Sequence, residues 1–401
     1  MSTIRLGTAS PGTQPTTAAT IALIDSIAQR AASSSIDILL LPEAFIGGYP
    51  RGSSFGCAIG GRTDEGREEF AKYFDQAIDL GDTVGPGGGG AGLKWVKRQI
   101  GEDDSTRGDG SREELERIAR DTGVFIVTGC IEKTGGSLYC SVVYVCPKDG
   151  MLGKRRKVLP TGSERLIWAQ GAPSTLKAVS TTIRGVRINL AAAICWENYM
   201  PLLRQTLYSQ NINLYLAPTA DNRDAWLGLM RTVGVEGRCF VVSSNMAVPK
   251  DAPTHPDTRK SPVRGRRDSA ITEEGFEIAL PRSPQRARRR KSVFDEDGNE
   301  IVLCKEVDGE TQPSTQLPPT FTTTIPEKVE WVSRGGSSIV TPFGDVVAGP
   351  QWEDPDGLIF ADVDFRDCIR GRLDLDAAGS YSRNDSFKLS VEGLDLDPLP
   401  Y

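Results

Sequence analysis

Arg187-Ile188-Asn189-Leu190-Ala191-Ala192-Ala193-Ile194-Cys195-Trp196-Glu197-Asn198 is an apolar run that ends on a thiol and opens into a helical pattern. A junction of strand and turn is a natural place to present a nucleophile: the strand fixes the backbone and the turn exposes the side chain. Upstream, Ile36-Asp37-Ile38-Leu39-Leu40-Leu41 reads as a buried strand running into Pro42-Glu43. Residues 16–32 place Ile21, Ile24, Ile27, Ala28 and Ala31 on one helical face. Residues 112–120 read as a short charged helix before the strand Val124-Phe125-Ile126-Val127, and residues 141–145 as the second arm of a hairpin across Lys133-Thr134-Gly135-Gly136. Downstream come a helix near residues 202–210, a strand at 214–217, a helix at about 224–238 and a strand at 240–245. Alternation of this kind predicts an α/β layered fold.

The composition narrows the function. The chain has 401 residues, 25% charged and 38% hydrophobic, an ordinary globular profile. A net charge of -6 gives no reason to expect nucleic-acid binding. No apolar stretch approaches the ~18 residues that span a bilayer, so no membrane association is expected. Met1-Ser2-Thr3-Ile4-Arg5-Leu6 lacks a basic region followed by an apolar core, which points to a cytoplasmic protein. Eight cysteines stand at 57, 130, 140, 146, 195, 239, 304 and 368 with no CxxC pair, which disfavours zinc and suggests reduced, buried thiols. The single histidine, His255, lies in a proline- and charge-rich stretch. A Ser-His-Asp or Cys-His mechanism therefore lacks its base, and a multi-histidine metal site is impossible. Nucleophilic chemistry here must use carboxylate or lysine as its proton-handling partner.

One catalytic domain is expected over residues 1–370, interrupted by an irregular insertion at about 249–330 rather than by a second domain. Residues 81–110, with Gly87-Gly88-Gly89-Gly90, read as an extended surface loop. The core resumes at 335–340, pairs with 344–349, and ends in a strand at 359–363. A polar tail, 371–401, is expected to reach over a neighbouring surface. Arg286, Arg288, Arg289, Arg290 and Lys291 form a basic cluster before Ser292. It is read as a solvated loop offset by Asp295, Glu296 and Asp297 in preference to a targeting or anion-binding signal.

A free thiol titrates near 8.5, so a nucleophilic cysteine needs help. Lys157 supplies an amine cation and the turn after Cys195 supplies amide groups, both expected to lower the thiol pKa. Glu43, at the end of a leucine run, suits a buried general base. Taken singly, a strand-terminal glutamate and a lysine are more often a salt-bridged edge carboxylate and a solvated cation. The local sequences decide otherwise. Leu41-Pro42-Glu43-Ala44-Phe45-Ile46-Gly47-Gly48-Tyr49-Pro50 resembles the glutamate motif of the nitrilase family. Arg155-Arg156-Lys157-Val158-Leu159-Pro160-Thr161 with Glu164-Arg165 resembles its lysine motif, and Cys195-Trp196-Glu197-Asn198-Tyr199-Met200-Pro201-Leu202 its cysteine motif. Ala217-Pro218-Thr219-Ala220-Asp221 and Glu236-Gly237-Arg238-Cys239-Phe240 are similar to further segments of that family. The resemblance covers roughly residues 1–250 and 333 onward, and the tail and insertion look most like fungal members.

The resemblance implies a four-layer α-β-β-α sandwich that pairs through its outer helices into a homo-oligomer, extended in many members into a spiral with interlocking tails. It implies that Cys195 attacks a nitrile carbon and forms a thioimidate. Glu43 would act as general base, and Lys157 with the Trp196 amide would stabilise developing charge. Glu164 would position Lys157 or substrate and help with proton transfers. No cofactor and no metal is implied. Tyr49, Trp168 and Trp196 flank the motifs and either line the substrate pocket or pack the core; lining would favour an aromatic or arylaliphatic nitrile. The chain departs from the family at Arg155, where many members carry histidine, and near Arg231-Thr232, where another histidine is frequent. The leading expectation is hydrolysis of a nitrile to acid and ammonia. Against it stand a cyanide or nitrile hydratase releasing the amide, amide or carbamoyl hydrolysis by the same residues, and a catalytically silent scaffold.

Overall fold

A computed structural model describes residues 3–81, 108–250 and 329–401, together with four short strands between residues 269 and 302. In chain order the first half contains β1 (Ile4–Ala9), α1 (Thr17–Ser33), β2 (Ile38–Leu40), α2 (Asp64–Gln76), α3 (Ser111–Thr122), β3 (Phe125–Thr134), β4 (Ser137–Cys146) and β5 (Gly150–Arg156). Then follow β6 (Val179–Ile183), β7 (Val186–Ala192), α4 (Pro201–Ser209), β8 (Leu214–Thr219), α5 (Ala225–Gly237), β9 (Phe240–Asn245) and β10 (Ala247–Pro249). The chain divides into two compact units, Met1–Arg259 with Val329–Tyr401, and Lys260–Lys328. Within the smaller unit, β11 (Ser269–Ile271) pairs antiparallel with β12 (Glu277–Ala279), and β13 (Ser292–Phe294) with β14 (Glu300–Val302). The larger unit resumes with β15 (Trp331–Val340), β16 (Val346–Trp352), β17 (Leu358–Val363) and α6 (Arg366–Gly371). Nearly all of the expected glycine-rich loop, and the basic cluster at 286–291, lie outside the described residues.

Two sheets form the larger unit. One runs β17-β1-β2-β3-β4-β5; the other runs β10-β15-β9-β8-β7-β6, with β16 also on β15. Each has a parallel centre, β1-β2-β3 in one and β7-β8-β9 in the other, completed by antiparallel strands. Ile4, Leu6, Leu40 and Val127 of the first sheet pack with Leu190, Leu216 and Val242 of the second, so the sheets face each other over one core. The alternate residues of the first sheet, among them Leu39, Ile126 and Val143, pack on Ile24 and Ala28 of α1 and Ile118 of α3. Those of the second, Ala191, Tyr215 and Val241, pack on Leu207 of α4 and Met230 and Val233 of α5. Apolar residues on both strand faces thus give the four-layer α-β-β-α sandwich that the motifs implied. Among the described residues, no helix is long and apolar enough to cross a membrane. The chain's last residues return to their own subunit, where Leu399 N–H donates to the Gln210 carbonyl (3.1 Å) and Asn211 Nδ2 donates to the Leu399 carbonyl (2.6 Å).

One buried charge cluster bears on stability. The Glu132 carboxylate on β3 accepts from Lys154, from Arg156 at 2.7 and 3.0 Å, and from Ser141 at 3.0 Å, with no exposed surface. Burial pushes its carboxyl up, but Lys154 and Arg156 outweigh that and hold it at about 2. An unfolded glutamate titrates near ~4.3. The folded value is depressed, so this stabilisation is fully present above pH ~4.3 and is lost as pH falls toward 2. Glu132→Gln removes the anion that Lys154 and Arg156 share and is expected to cost about 3–5 kcal/mol at neutral pH. Urea unfolding at pH 7 and pH 3 checks both points: the deficit should be large at pH 7 and smaller at pH 3.

Candidate active site

Four of the residues singled out in the sequence meet at the ends of strands from both sheets. Glu43 follows β2, in a turn where Ala44 takes φ 50°. The turn lies close against β3: a Cβ on Gly129 would stand 2.3 Å from the Pro42 carbonyl and 2.8 Å from Glu43 Cα, so only glycine fits there. Lys157 follows β5 and is held by its N–H to the Cys140 carbonyl at 2.7 Å. Its ammonium donates to Glu43 Oε1 at 2.8 Å and to Glu164 Oε1 at 2.9 Å, with Glu164 Oε2 also 2.8 Å away. Glu164 sits in the one-turn helix Gly162–Leu166, where Oε2 accepts from Thr161 N–H at 2.7 Å and Oε1 from the Tyr49 hydroxyl at 2.9 Å. One cation therefore holds two carboxylates, and each carboxylate is tied to backbone or aromatic neighbours.

Cys195 follows β7 with φ 53°, a left-handed conformation that costs a non-glycine residue of order 1–3 kcal/mol. The one-turn helix Cys195–Tyr199 and two bonds from Asn198 Nδ2, to the Ala193 carbonyl (2.9 Å) and the Cys195 carbonyl (2.7 Å), hold it there. Thr219 Oγ1, at the end of β8, donates to the sulfur at 3.3 Å. The Glu43 carboxylate has the thiol as a neighbour, and among the described residues no group stands in full bonding geometry to its Oε2. That atom faces the cluster as an acceptor.

The electrostatics correct one expectation. The thiol was expected to be lowered by Lys157 and the following turn. Instead burial pushes it up, the Glu43 charge adds to that, and Lys157 only partly offsets them. The thiol is only 4% exposed, so loss of hydration outweighs one shared cation. Burial likewise raises Glu43, with Lys157 opposing. Burial would lower Lys157, but its acidic neighbours, Glu43 first, overcome it and raise the ammonium's pKa. Burial and the Glu43 charge both favour the protonated thiol, so attack requires the proton to leave with the sulfur's advance.

The aromatics divide. Trp168 is buried beside the cluster, its ring 5.4 Å from Lys157 Nζ and edge-on to Tyr49 at 5.6 Å. Trp196 instead donates Nε1 to Asp221 Oδ2 at 3.0 Å and lies under the Arg223 guanidinium at 4.7 Å. Sequence reading missed Thr219 and Cys140, whose sulfur donates to Glu43 Oε1 at 3.6 Å. Thr219 lies inside a quoted motif, but nothing local marks its hydroxyl as facing the thiol. Among the described residues no cluster of His, Cys, Asp and Glu is arranged to hold a metal.

A thiol, an ammonium and two carboxylates at the strand ends of an α-β-β-α sandwich define a class of hydrolase, and comparison with known proteins agrees. The family model described as carbon-nitrogen hydrolase matches residues 3–372, and the chain belongs to that family. Its curated relatives are nitrilases. The chain is 35% identical to the aliphatic nitrilase of Sinorhizobium fredii, over 93% of this chain and 90% of that one. It is also 35% identical to the arylacetonitrilase of Trametes versicolor, over 88% and 85%. Among solved structures, a mutant of the Nesterenkonia AN1 amidase of the nitrilase superfamily aligns with TM-score 0.51 and 16% identity, covering 92% of this chain and 93% of that one, a likeness of fold.

Proposed function

We propose that this protein hydrolyses an organic nitrile to the carboxylic acid and ammonia through a covalent Cys195 intermediate. The observation that carries the reading is the unpartnered Glu43 Oε2 beside a buried, neutral thiol, with Lys157 charged next to both. Glu43 takes the thiol proton as sulfur bonds to the nitrile carbon, and that proton passes to the nitrile nitrogen to give a thioimidate. Water adds to the thioimidate carbon, both of its protons pass to the nitrogen through Glu43, and the C–N bond breaks to release ammonia and leave a thioester. A second water cleaves the C–S bond, returning the proton to sulfur and releasing the acid. Lys157, with the Trp196 amide, stabilises the charge that develops on the substrate atoms. Glu164 holds Lys157 in place and assists proton transfer.

Tyr49, which lines the approach to the cluster, and Trp168, packed edge-on against Tyr49, support an aromatic or arylaliphatic substrate. A cleft lined by Tyr49, Pro50, Ser53, Phe55, Glu164 and Ile167 leads to the cluster and holds about 20 Å³, room for a water and not for a ring. Entry of an aryl nitrile therefore requires this cleft to widen. All seven described cysteines are free, which supports work in a reducing, cytoplasmic compartment. Leu202, Leu373 and Phe387 are 73, 89 and 71% exposed, which supports a homo-oligomer, measurable by sedimentation velocity.

Incubation with benzonitrile, phenylacetonitrile, mandelonitrile and cyanide, with acid, amide and ammonia quantified separately, tests the reading. Acid with equal ammonia is expected. Amide without ammonia would reassign the protein as a hydratase, and no turnover would leave the scaffold reading.

A further inference from the structure

Lys157 and Cys195 belong to different sheets, so something must hold them in register. Two residues missed as a pair in the sequence span that gap. Arg155 lies two positions before Lys157, and Glu197 two after Cys195. Both are buried, and Arg155 Nη2 donates to Glu197 Oε1 at 2.6 Å. The same Oε1 accepts from Val158 N–H at 2.7 Å and Leu159 N–H at 3.3 Å, immediately after Lys157. Oε2 accepts from Ile194 N–H at 2.8 Å, immediately before Cys195. A single carboxylate thus binds the backbone on the far side of Lys157 and on the near side of Cys195.

Arg155 completes the link from the first sheet. The β6–β7 pairing ends at Val179↔Leu190, which leaves the backbone of Ala192 without a partner on that edge. Arg155 Nη1 donates to the Ala192 carbonyl at 2.7 Å, and the Ala192 N–H donates to the Tyr144 hydroxyl of β4 at 2.9 Å. The first sheet therefore supplies the hydrogen bonds that the second sheet lacks, three residues before the thiol.

We propose that Arg155 and Glu197 are positioning residues that set the spacing between Cys195 and the Lys157–Glu43 pair. Neither touches the reacting atoms. A buried ion pair need not add stability, so its presence here is accounted for by the geometry it imposes. The proposal rests on the catalytic assignment above, and its test is chosen to survive failure of the substrate assignment.

The variants are Glu197→Gln, which keeps the shape and loses the charge, and Arg155→Lys, which keeps the charge and cannot reach Glu197 and Ala192 together. Each is measured for kcat and KM, for the amide-to-acid product ratio, and for the rate at which iodoacetamide alkylates Cys195, read by peptide mass spectrometry. Displacement of reacting groups by about 1 Å costs on the order of 10²-fold in rate. The expected result is a loss of that order in kcat with KM within twofold, a shift in product ratio, and slower alkylation of Cys195 in protein whose circular dichroism matches the parent. Alkylation needs no nitrile turnover, so it decides the proposal even if no tested nitrile is a substrate. Rates and product ratio unchanged in Arg155→Lys, with only a lowered Tm, would overturn it, whether or not Glu197→Gln folds.

Discussion

Lys157→Met is expected to lose nitrile turnover by on the order of 10³-fold and to destabilise the protein by about 3–5 kcal/mol. Both losses have the same origin. The ammonium is the common partner of Glu43 at 2.8 Å and Glu164 at 2.9 Å, and none of its surface is exposed. Removing it leaves two carboxylates facing one apolar gap. Burial and the neighbouring carboxylate, no longer opposed by the ammonium, then raise Glu43 further in the folded state. A group raised on folding stabilises below its unfolded pKa and loses that contribution as pH rises through the folded value. The deficit of Lys157→Met should therefore be greatest at neutral pH and shrink as pH falls toward ~4. This is the opposite of Glu132→Gln only in cause: there two cations lose a shared anion, here two anions lose a shared cation. Denaturant unfolding across pH 4–8, with turnover on the same samples, checks the prediction. Full activity, or a deficit that grows on acidification, would remove Lys157 from its assigned place.

Cys195→Ala should abolish turnover, a fall on the order of 10⁶-fold if background hydrolysis is the floor, with no covalent adduct by intact mass. The same position tests the strain. Alanine at φ 53° keeps the left-handed backbone, whereas glycine adopts it freely, so Cys195→Gly should be about 1 kcal/mol more stable than Cys195→Ala despite its floppier unfolded chain. Cys195 is thus held at a cost that the surrounding turn and the two Asn198 bonds sustain. In the parent enzyme the acid limb of kcat/KM should lie above the ordinary glutamate value of ~4.3, because burial raises Glu43 and it must be ionised to accept the thiol proton. An acid limb at or below that value would argue against Glu43 as the base.

Much of the fold was legible in the chain. Apolar runs separated by amphipathic helices indicated layers, and the apolar character of both faces of β2 and β3 is what a sheet buried on both sides requires. The chemistry-bearing residues were legible too, because each stands in a run of several characteristic neighbours at the end of a strand. Glu43, Lys157, Glu164 and Cys195 needed no distances to be named. What lay beyond reach was everything set by separation across the sheets. Thr219 and Cys140 are ordinary side chains until β8 and β4 bring them to the thiol and to Glu43. Arg155 and Glu197 are charges inside two separate motifs with nothing to connect them until they are found buried and paired 42 positions apart.

Sequence alone therefore picked out the four side chains that the fold brings together and the local elements on which they sit, since periodicity and strand ends are properties of neighbouring residues. The tertiary structure decided their ionisation and their partners. A thiol pKa depends on how much water is excluded around it, and here exclusion by two packed sheets outweighs the nearby ammonium and reverses the direction that charge alone suggested. The free oxygen of Glu43, the shared cation and the clamp between Lys157 and Cys195 all arise from strands remote in the chain meeting at one edge, a relation no local pattern encodes.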